Sequence, residues 1–336
     1  MKKQFKKEET YTYKGIKNKT LFPDFISLCK MTQNELKNYL PKRLEEAGYT
    51  DVVVDDGFIY AKGDIPYLVT AHMDTVHKEP VKEFYEFTDK NGNHILSSPQ
   101  GIGGDDRCGI YMILDIIKHY KPSVLFCEDE EKGCIGSEKF CKTKYINELS
   151  DMKFLIELDR AYNKDAVFYD CENLDFIKFI EKTTGYKEAI GSFTDISSLA
   201  PACKVAAVNF SCGYYHAHTL QEEVNVEEML NTIEVVKKLI TTESEQYEYI
   251  EAVRAYDDWY FGRSCYGGYD YSGYSRPSRS IWGEDVALYI EYVDKNGEDK
   301  NAYAEGETEA EAWCNFFFEN PNVCFNDVLD YDVDMV

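Results

Sequence analysis

Four short apolar runs, Tyr67 to Ala71, Ser123 to Cys127, Lys153 to Leu158 and Val205 to Phe210, constrain this chain more than any other feature. Each is too short for a helix and too continuously apolar for a strand with one wet face, so each is expected to be a buried strand. Helical periodicity falls between and after them. Cys108 to Tyr120 places Ile110, Ile113, Leu114 and Ile117 on one face, and Asp175 to Lys182 and Val226 to Ile240 follow the same period. Strands alternating with helices predict an α/β layer with a mainly parallel sheet. Polar residues that follow the runs then gather at the carboxyl edge of that sheet, where open α/β folds place their sites.

The flanks add detail. Thr32 and Glu35 form a capping-box pattern ahead of a helix whose apolar face includes Leu36 and Leu44. Pro41 is expected to kink it and Gly48 to end it. Val52 to Val54 and Phe58 to Ala61 are short β-rich runs, and Asn91-Gly92 between Phe84 to Thr88 and Ile95 to Ser98 signals a hairpin. From about Trp259 the chain turns rich in Gly, Tyr, Ser and Arg without a period, as a linker does. Beyond it, Val286 to Val293, the turn Asn296-Gly297, a strand near Ala302 and a helix from Thr308 to Phe318 predict a small ββα appendage, closing in an acidic tail from Asp327 to Val336. The expected organisation is a tail over 1–20, a catalytic domain over 21–245, a helical and then Gly/Tyr-rich linker over 246–283, and an acidic α+β appendage over 284–336.

Charge narrows the partners. With 37 Lys+Arg against 61 Asp+Glu, the net charge is −24, which repels phosphate backbones and anionic lipid and argues against nucleic acid or membrane as partner. Eleven cysteines at irregular positions, none in a Cys-x-x-Cys pair, do not form a disulfide framework and fit reduced thiols in a cytoplasm. The basic start Met1-Lys2-Lys3 leads into Glu8-Glu9 rather than an apolar stretch, so no signal peptide is expected, and no run approaches a membrane span.

The residues that follow the runs are the ones that carry chemistry. After Ala71 come His72 and Asp74, two apart and so on one side of a strand, a ligand and the carboxylate that orients it. Asp105, after Gly103-Gly104 and before a helix, is either an N-cap worth about 1 kcal/mol or a carboxylate able to bridge two cations. Glu130 and Glu131 lie in the acidic cluster after Cys127, where adjacent carboxylates can divide the labour, one holding a metal and one moving a proton. Asp159 follows Leu158. His216 and His218 complete the series, in a chain with only six histidines.

In this order, His72-Met73-Asp74, Gly104-Asp105-Asp106-Arg107-x-Gly109, Asp129-Glu130-Glu131-x-Gly133-x-x-Gly136-Ser137, Asp159 and His218-Thr219-x-x-Glu222 resemble the motifs of the co-catalytic zinc exopeptidases. That superfamily includes the peptidase T, glutamyl aminopeptidase and bacterial leucyl aminopeptidase branches, and the resemblance spans roughly Leu36 to Ile240. It implies a three-layer α/β/α phosphorylase/hydrolase-like core and two zinc ions, with cobalt or manganese as substitutes. It further implies that Asp105 bridges the ions, Glu131 and His218 complete one site, and His72 and Asp159 the other. Glu130 is then the general base and Asp74 the partner of His72, while His216 is a wall residue or substrate contact.

The resemblance implies a peptide substrate. Asp105 follows His72 by 33 positions and His218 follows Asp159 by 59, both too short for the extra domains that two of the branches insert there. The expectation is a bare, open catalytic domain. Gly191-Ser192-Phe193-Thr194-Asp195 is nonetheless similar to the glutamyl aminopeptidase branch. In these families an aspartate at position 159 accompanies aminopeptidases and a glutamate carboxypeptidases, although Glu157 shares its side of the strand. Carboxypeptidase, N-acyl amino acid deacylase and inactive scaffold are the alternatives, and a homo-oligomer is compatible with all of them.

Overall fold

The computed structural model describes residues 20–191, 193–252, 286–293, 299–306 and 328–335. The chain divides into two compact units, Met1–Ser264 and Cys265–Val336.

The first unit is built on the apolar runs. They become β3 (Ile65–His72), β6 (Pro122–Cys127), β7 (Phe154–Arg160) and β10 (Ala207–Ser211). With β1 (Val52–Asp55), β2 (Phe58–Ala61), β8 (Asp165–Val167) and β9 (Lys187–Ala189) they form an eight-stranded sheet in the order β1-β2-β6-β3-β7-β10-β8-β9. The central β6, β3, β7 and β10 are mutually parallel, while β2 and β8 pair antiparallel at the flanks. His72, Cys127 and Asp159 therefore reach the same edge.

Helices cover both faces. One side carries α1 (Pro23–Cys29), α2 (Gln33–Glu46), α3 (Gly104–Ile116), α6 (Leu174–Thr184) and α8 (Val226–Thr241), whose buried residues join Val69, Ala71, Ile156 and Val208 in the larger core. The other side carries α4 (Ile135–Cys141), α5 (Ile146–Leu149) and α7 (Asp195–Cys203), packed on Leu68, Leu125, Leu155 and Ala207. Alternate residues of each strand thus feed opposite layers, which explains why the runs carry apolar residues on both faces. The expected capping box at Thr32 and Glu35 is present, but Pro41 lies inside α2 without ending it. Leu36, Leu40 and Leu44 stay buried across it, so tertiary packing holds the helix through a position that lacks its own N–H.

Two departures concern the site. The expected hairpin forms as β4 (Tyr85–Thr88) and β5 (His94–Ser97), and it continues through β12 (Glu223–Asn225) and β11 (Tyr214–Tyr215) into a second, four-stranded sheet. The 72–105 interval thus carries strands that share a sheet with β11 and β12, the strands that flank the His218 loop. At α3, the N-cap role considered for Asp105 falls to Asp106, whose Oδ1 accepts the Gly109 N–H at 2.8 Å. Asp105 and Asp106 lie outside helical backbone geometry, so the regular helix begins after Asp106.

The expected helical start of the linker is corrected as well. Residues 246–252 run extended, in isolated bridges of Val205 with Glu248 and Cys171 with Glu251. Tyr247 packs there at 5.1 Å from Phe176 and 6.3 Å from Phe154, so alternate residues point inward as strand period requires. The linker from 253, the tail over 1–19, Ser192, the Asn296-Gly297 turn and the Thr308 to Phe318 helix lie outside the described residues.

The second unit contains β13 (Val286–Val293), β14 (Asp299–Gly306) and β15 (Val328–Met335), an antiparallel sheet with β13 central. The acidic tail expected from Asp327 thus supplies a strand. Asp330-Tyr331-Asp332-Val333-Asp334-Met335 alternates acid with apolar residues, a strand signature that the charge count conceals. Among the described residues no helix is long and apolar enough to cross a membrane.

Phe154 is fully buried where the larger core is aromatic, with ring centroids of Tyr67, Phe176 and Phe179 4.9, 5.4 and 6.0 Å away. Phe154→Ala is expected to destabilise the chain by about 3–5 kcal/mol in denaturant unfolding, and a loss below about 1 kcal/mol would show that the cluster is not a core.

Candidate active site

Strand ends and tight turns bring the five expected ligands together. His72 closes β3, fully buried, with Nε2 3.0 Å from Asp105 Oδ1 and 3.5 Å from Asp159 Oδ1. His218, on the loop between β11 and β12, has Nε2 3.2 Å from both Asp105 Oδ2 and Glu131 Oε2. The side chains thus form two trios, His72/Asp105/Asp159 and Asp105/Glu131/His218, with ligand atoms within 4.8 Å of one another and Asp105 common to both.

His72, the acidic turn and Asp159 are held from behind. Asp74 Oδ1 lies 3.1 Å from His72 Nδ1 and also accepts the Glu130 N–H at 3.0 Å, while its Oδ2 accepts the Glu131 N–H at 3.2 Å. One carboxylate therefore orients the imidazole and anchors the acidic turn. That turn is tight, with Asp129, Gly133 and Cys134 at positive φ around a single 3-10 turn from Glu130 to Lys132. Asp159 accepts the Thr194 hydroxyl at Oδ2 (3.0 Å), and Tyr214 donates to its carbonyl oxygen at 3.1 Å.

Three contributors carried no role in the sequence. Arg107 donates to the carbonyl oxygens of Leu28, Met31, Met73 and Asp74, pinning the chain just after His72. Glu222 accepts the backbone N–H groups of Gly103 and Asp105, and His77 Nε2 lies 2.7 Å from it. Arg107 and Glu222 stood inside the matched motifs; His77 had no local signal. His216 is exposed, joins neither trio, and its carbonyl oxygen accepts from the Thr219 hydroxyl and N–H, so its main chain shapes the turn.

The electrostatics are those of concentrated acid. Burial pushes the Glu130 carboxyl up to about 9, with Asp159 and Asp195 adding to the rise against His72. Burial and the neighbouring Asp105 raise Asp159 to about 7. Hydrogen bonds that its ring donates to Asp105 and Glu131 raise His218 to about 11. Burial works against a charged His72, but Asp159, Asp105 and Asp74 outweigh it and hold it well above the usual range. Behind the trios, both carboxyl oxygens of Glu157 and of Asp195 are buried without a hydrogen-bond partner. Burial raises both groups.

Such a donor set suits divalent cations. Two imidazoles and three carboxylates with a shared central acid fit two ions of the zinc type. The Glu131 Oε1 atom, buried without a partner while Oε2 faces His218, fits a ligand oxygen.

Residues 60–204 match the model of Peptidase family M28, a span that holds His72, Asp105, Glu130, Glu131 and Asp159 but not His218. No curated protein sequence matches the chain. Among solved structures, the chain is similar to the aminopeptidase PepT from Bacillus cereus ATCC 10987, with 14% identity, 65% of this chain and 96% of that chain covered and a TM-score of 0.51. It is also similar to a tripeptidase from Staphylococcus aureus subsp. aureus Mu50, with 14% identity, 64% and 95% coverage and a TM-score of 0.51. At that identity the likeness shows the fold.

Without metal, Glu130, His72 and His218 each bind a proton more tightly in the folded chain than in the unfolded one. Stability from such groups is complete below the unfolded value and is lost as pH rises through the folded value. For Glu130 that window runs from 4.5 to about 9, and for His218 from 6.5 to about 11. The melting temperature in chelator is therefore expected to fall from about pH 7 to about pH 9; a rise over that interval contradicts these assignments.

Residues 60–204 thus resemble Peptidase family M28, within a fold that the chain shares with these two peptidases.

Proposed function

We propose that the chain is a two-metal exopeptidase that releases N-terminal residues from peptides. The observation that carries this reading is the sharing of Asp105 by two ligand trios, with Glu130 in the same acidic turn. His72, Asp105 and Asp159 hold one ion in this reading, and Asp105, Glu131 and His218 the other, zinc being the natural choice. Two such ions supply Lewis acidity, polarising the scissile carbonyl and acidifying water.

The remaining steps belong to side chains. Glu130 accepts the proton of the attacking water and returns it to the leaving amine. Glu130 is buried in the same turn as Glu131, beside the two trios. Asp74 keeps the His72 ring turned so that Nε2 faces the trio and also holds the main chain of Glu130.

Aminopeptidase action is favoured over carboxypeptidase or deacylase action by the aspartate at 159. Glu157 does not compete for that place, since it is fully buried behind Asp159 and belongs to neither trio. The similar structures bear the names aminopeptidase and tripeptidase, in keeping with a peptide substrate. A cytoplasmic setting is part of the reading, supported by the free cysteines of the described residues, all but Cys141 buried.

Glu130→Gln is expected to lower kcat by about 10²–10⁴-fold while metal content is kept; normal turnover in that variant removes Glu130 from the base role. On a panel of aminoacyl and N-acyl chromogenic substrates, cleavage is expected only where the amine is free. Release from blocked substrates alone overturns the aminopeptidase assignment.

A further inference from the structure

We infer that Glu222 is a positioning residue that locks three ligand-bearing segments into one unit, so that the two cation sites form together. The inference rests on the two-metal reading above. Glu222 is fully buried. Its Oε2 lies 2.7 Å from His77 Nε2 and accepts the Gly103 N–H at 2.8 Å, and its Oε1 accepts the Asp105 N–H at 3.0 Å.

Those partners come from three places. His77 lies beyond Asp74 on the chain leaving His72, Gly103 and Asp105 form the turn that presents the shared carboxylate, and Glu222 itself ends the loop that carries His218. A buried carboxylate with such donors makes strong, charge-assisted hydrogen bonds. None of these bonds uses a ligand atom of Asp105, so the main chain is held while both carboxylate oxygens stay directed at the two histidines.

The turn has no slack. A Cβ at Gly101, which sits at φ +80°, would meet the His77 ring at 2.1 Å, and one at Gly104 would meet Tyr214 Cβ at 2.8 Å and Glu222 Oε1 at 3.4 Å. A glutamine at 222 would turn an amide N–H₂ toward one of the N–H donors and open the hub.

Zinc titration calorimetry on metal-free wild-type, Glu222→Gln and His77→Gln chains tests this, with circular dichroism in chelator as the control for folding. The wild type is expected to take up two ions. Glu222→Gln should weaken zinc binding at both sites by about 10–100-fold, with a kcat deficit at low zinc that excess zinc restores and little change in KM. His77→Gln should move in the same direction by a smaller factor, and it reads the same hub if Glu222→Gln does not fold. Undiminished two-ion binding in a folded variant, or a kcat deficit that zinc does not restore, overturns the positioning role. Fewer than two ions in the wild type overturns the two-metal reading instead.

Discussion

Around Asp105, carboxylate oxygens of Asp159 on one side and Glu131 on the other come within 4.8 Å of its own. At an effective dielectric near 20, each such pair of charges repels by about 3.5 kcal/mol or more. A hydrogen bond returns only about 1 kcal/mol net, so hydrogen bonds alone do not hold this cluster ionised. Without metal the balance is met by protons: burial, with neighbouring carboxylates adding to it, raises Glu130 and Asp159, and the carboxylates around them hold both histidines charged. In the proposed two-metal reading, divalent cations would take the place of those protons, and the same crowding would become an affinity.

The fold supplies the rigidity that such crowding demands. Parallel β3, β6 and β7 deliver His72, the Glu130–Glu131 turn and Asp159 to one edge, and the second sheet brings His218 to the same place. Polar contacts then tie these elements to one another rather than each to itself. Asp74 joins β3 to the acidic turn, Arg107 clamps the chain after β3 to the segment around α1, and Glu222 joins the His218 loop to the Asp105 turn. Asp105 is consequently the point at which the separate elements become one site.

Much of this was legible because the site residues sit next to the strongest local signals. Buried strands such as Tyr67 to Ala71 are continuous apolar runs, and whatever follows them must emerge at an edge. The proposed ligands His72 and Asp159 are adjacent to their runs, and the ordered motifs linked them to Asp105, Glu131 and His218. What escaped depends on contacts between distant segments. Nothing near His77 announces a partner 145 positions away, and β12, a three-residue strand, has no pattern until β5 pairs with it. The terminal strand Val328–Met335 escaped for another reason: its acidic residues outweighed, in composition, the alternation that makes it a strand.

The central claim is that two cations flank the Asp105 carboxylate. Anomalous diffraction at the zinc edge, on crystals grown with zinc, measures it directly. The account expects two difference peaks, one among His72, Asp105 and Asp159 and one among Asp105, Glu131 and His218. A single peak, or peaks that leave Asp105 uncoordinated, would contradict it.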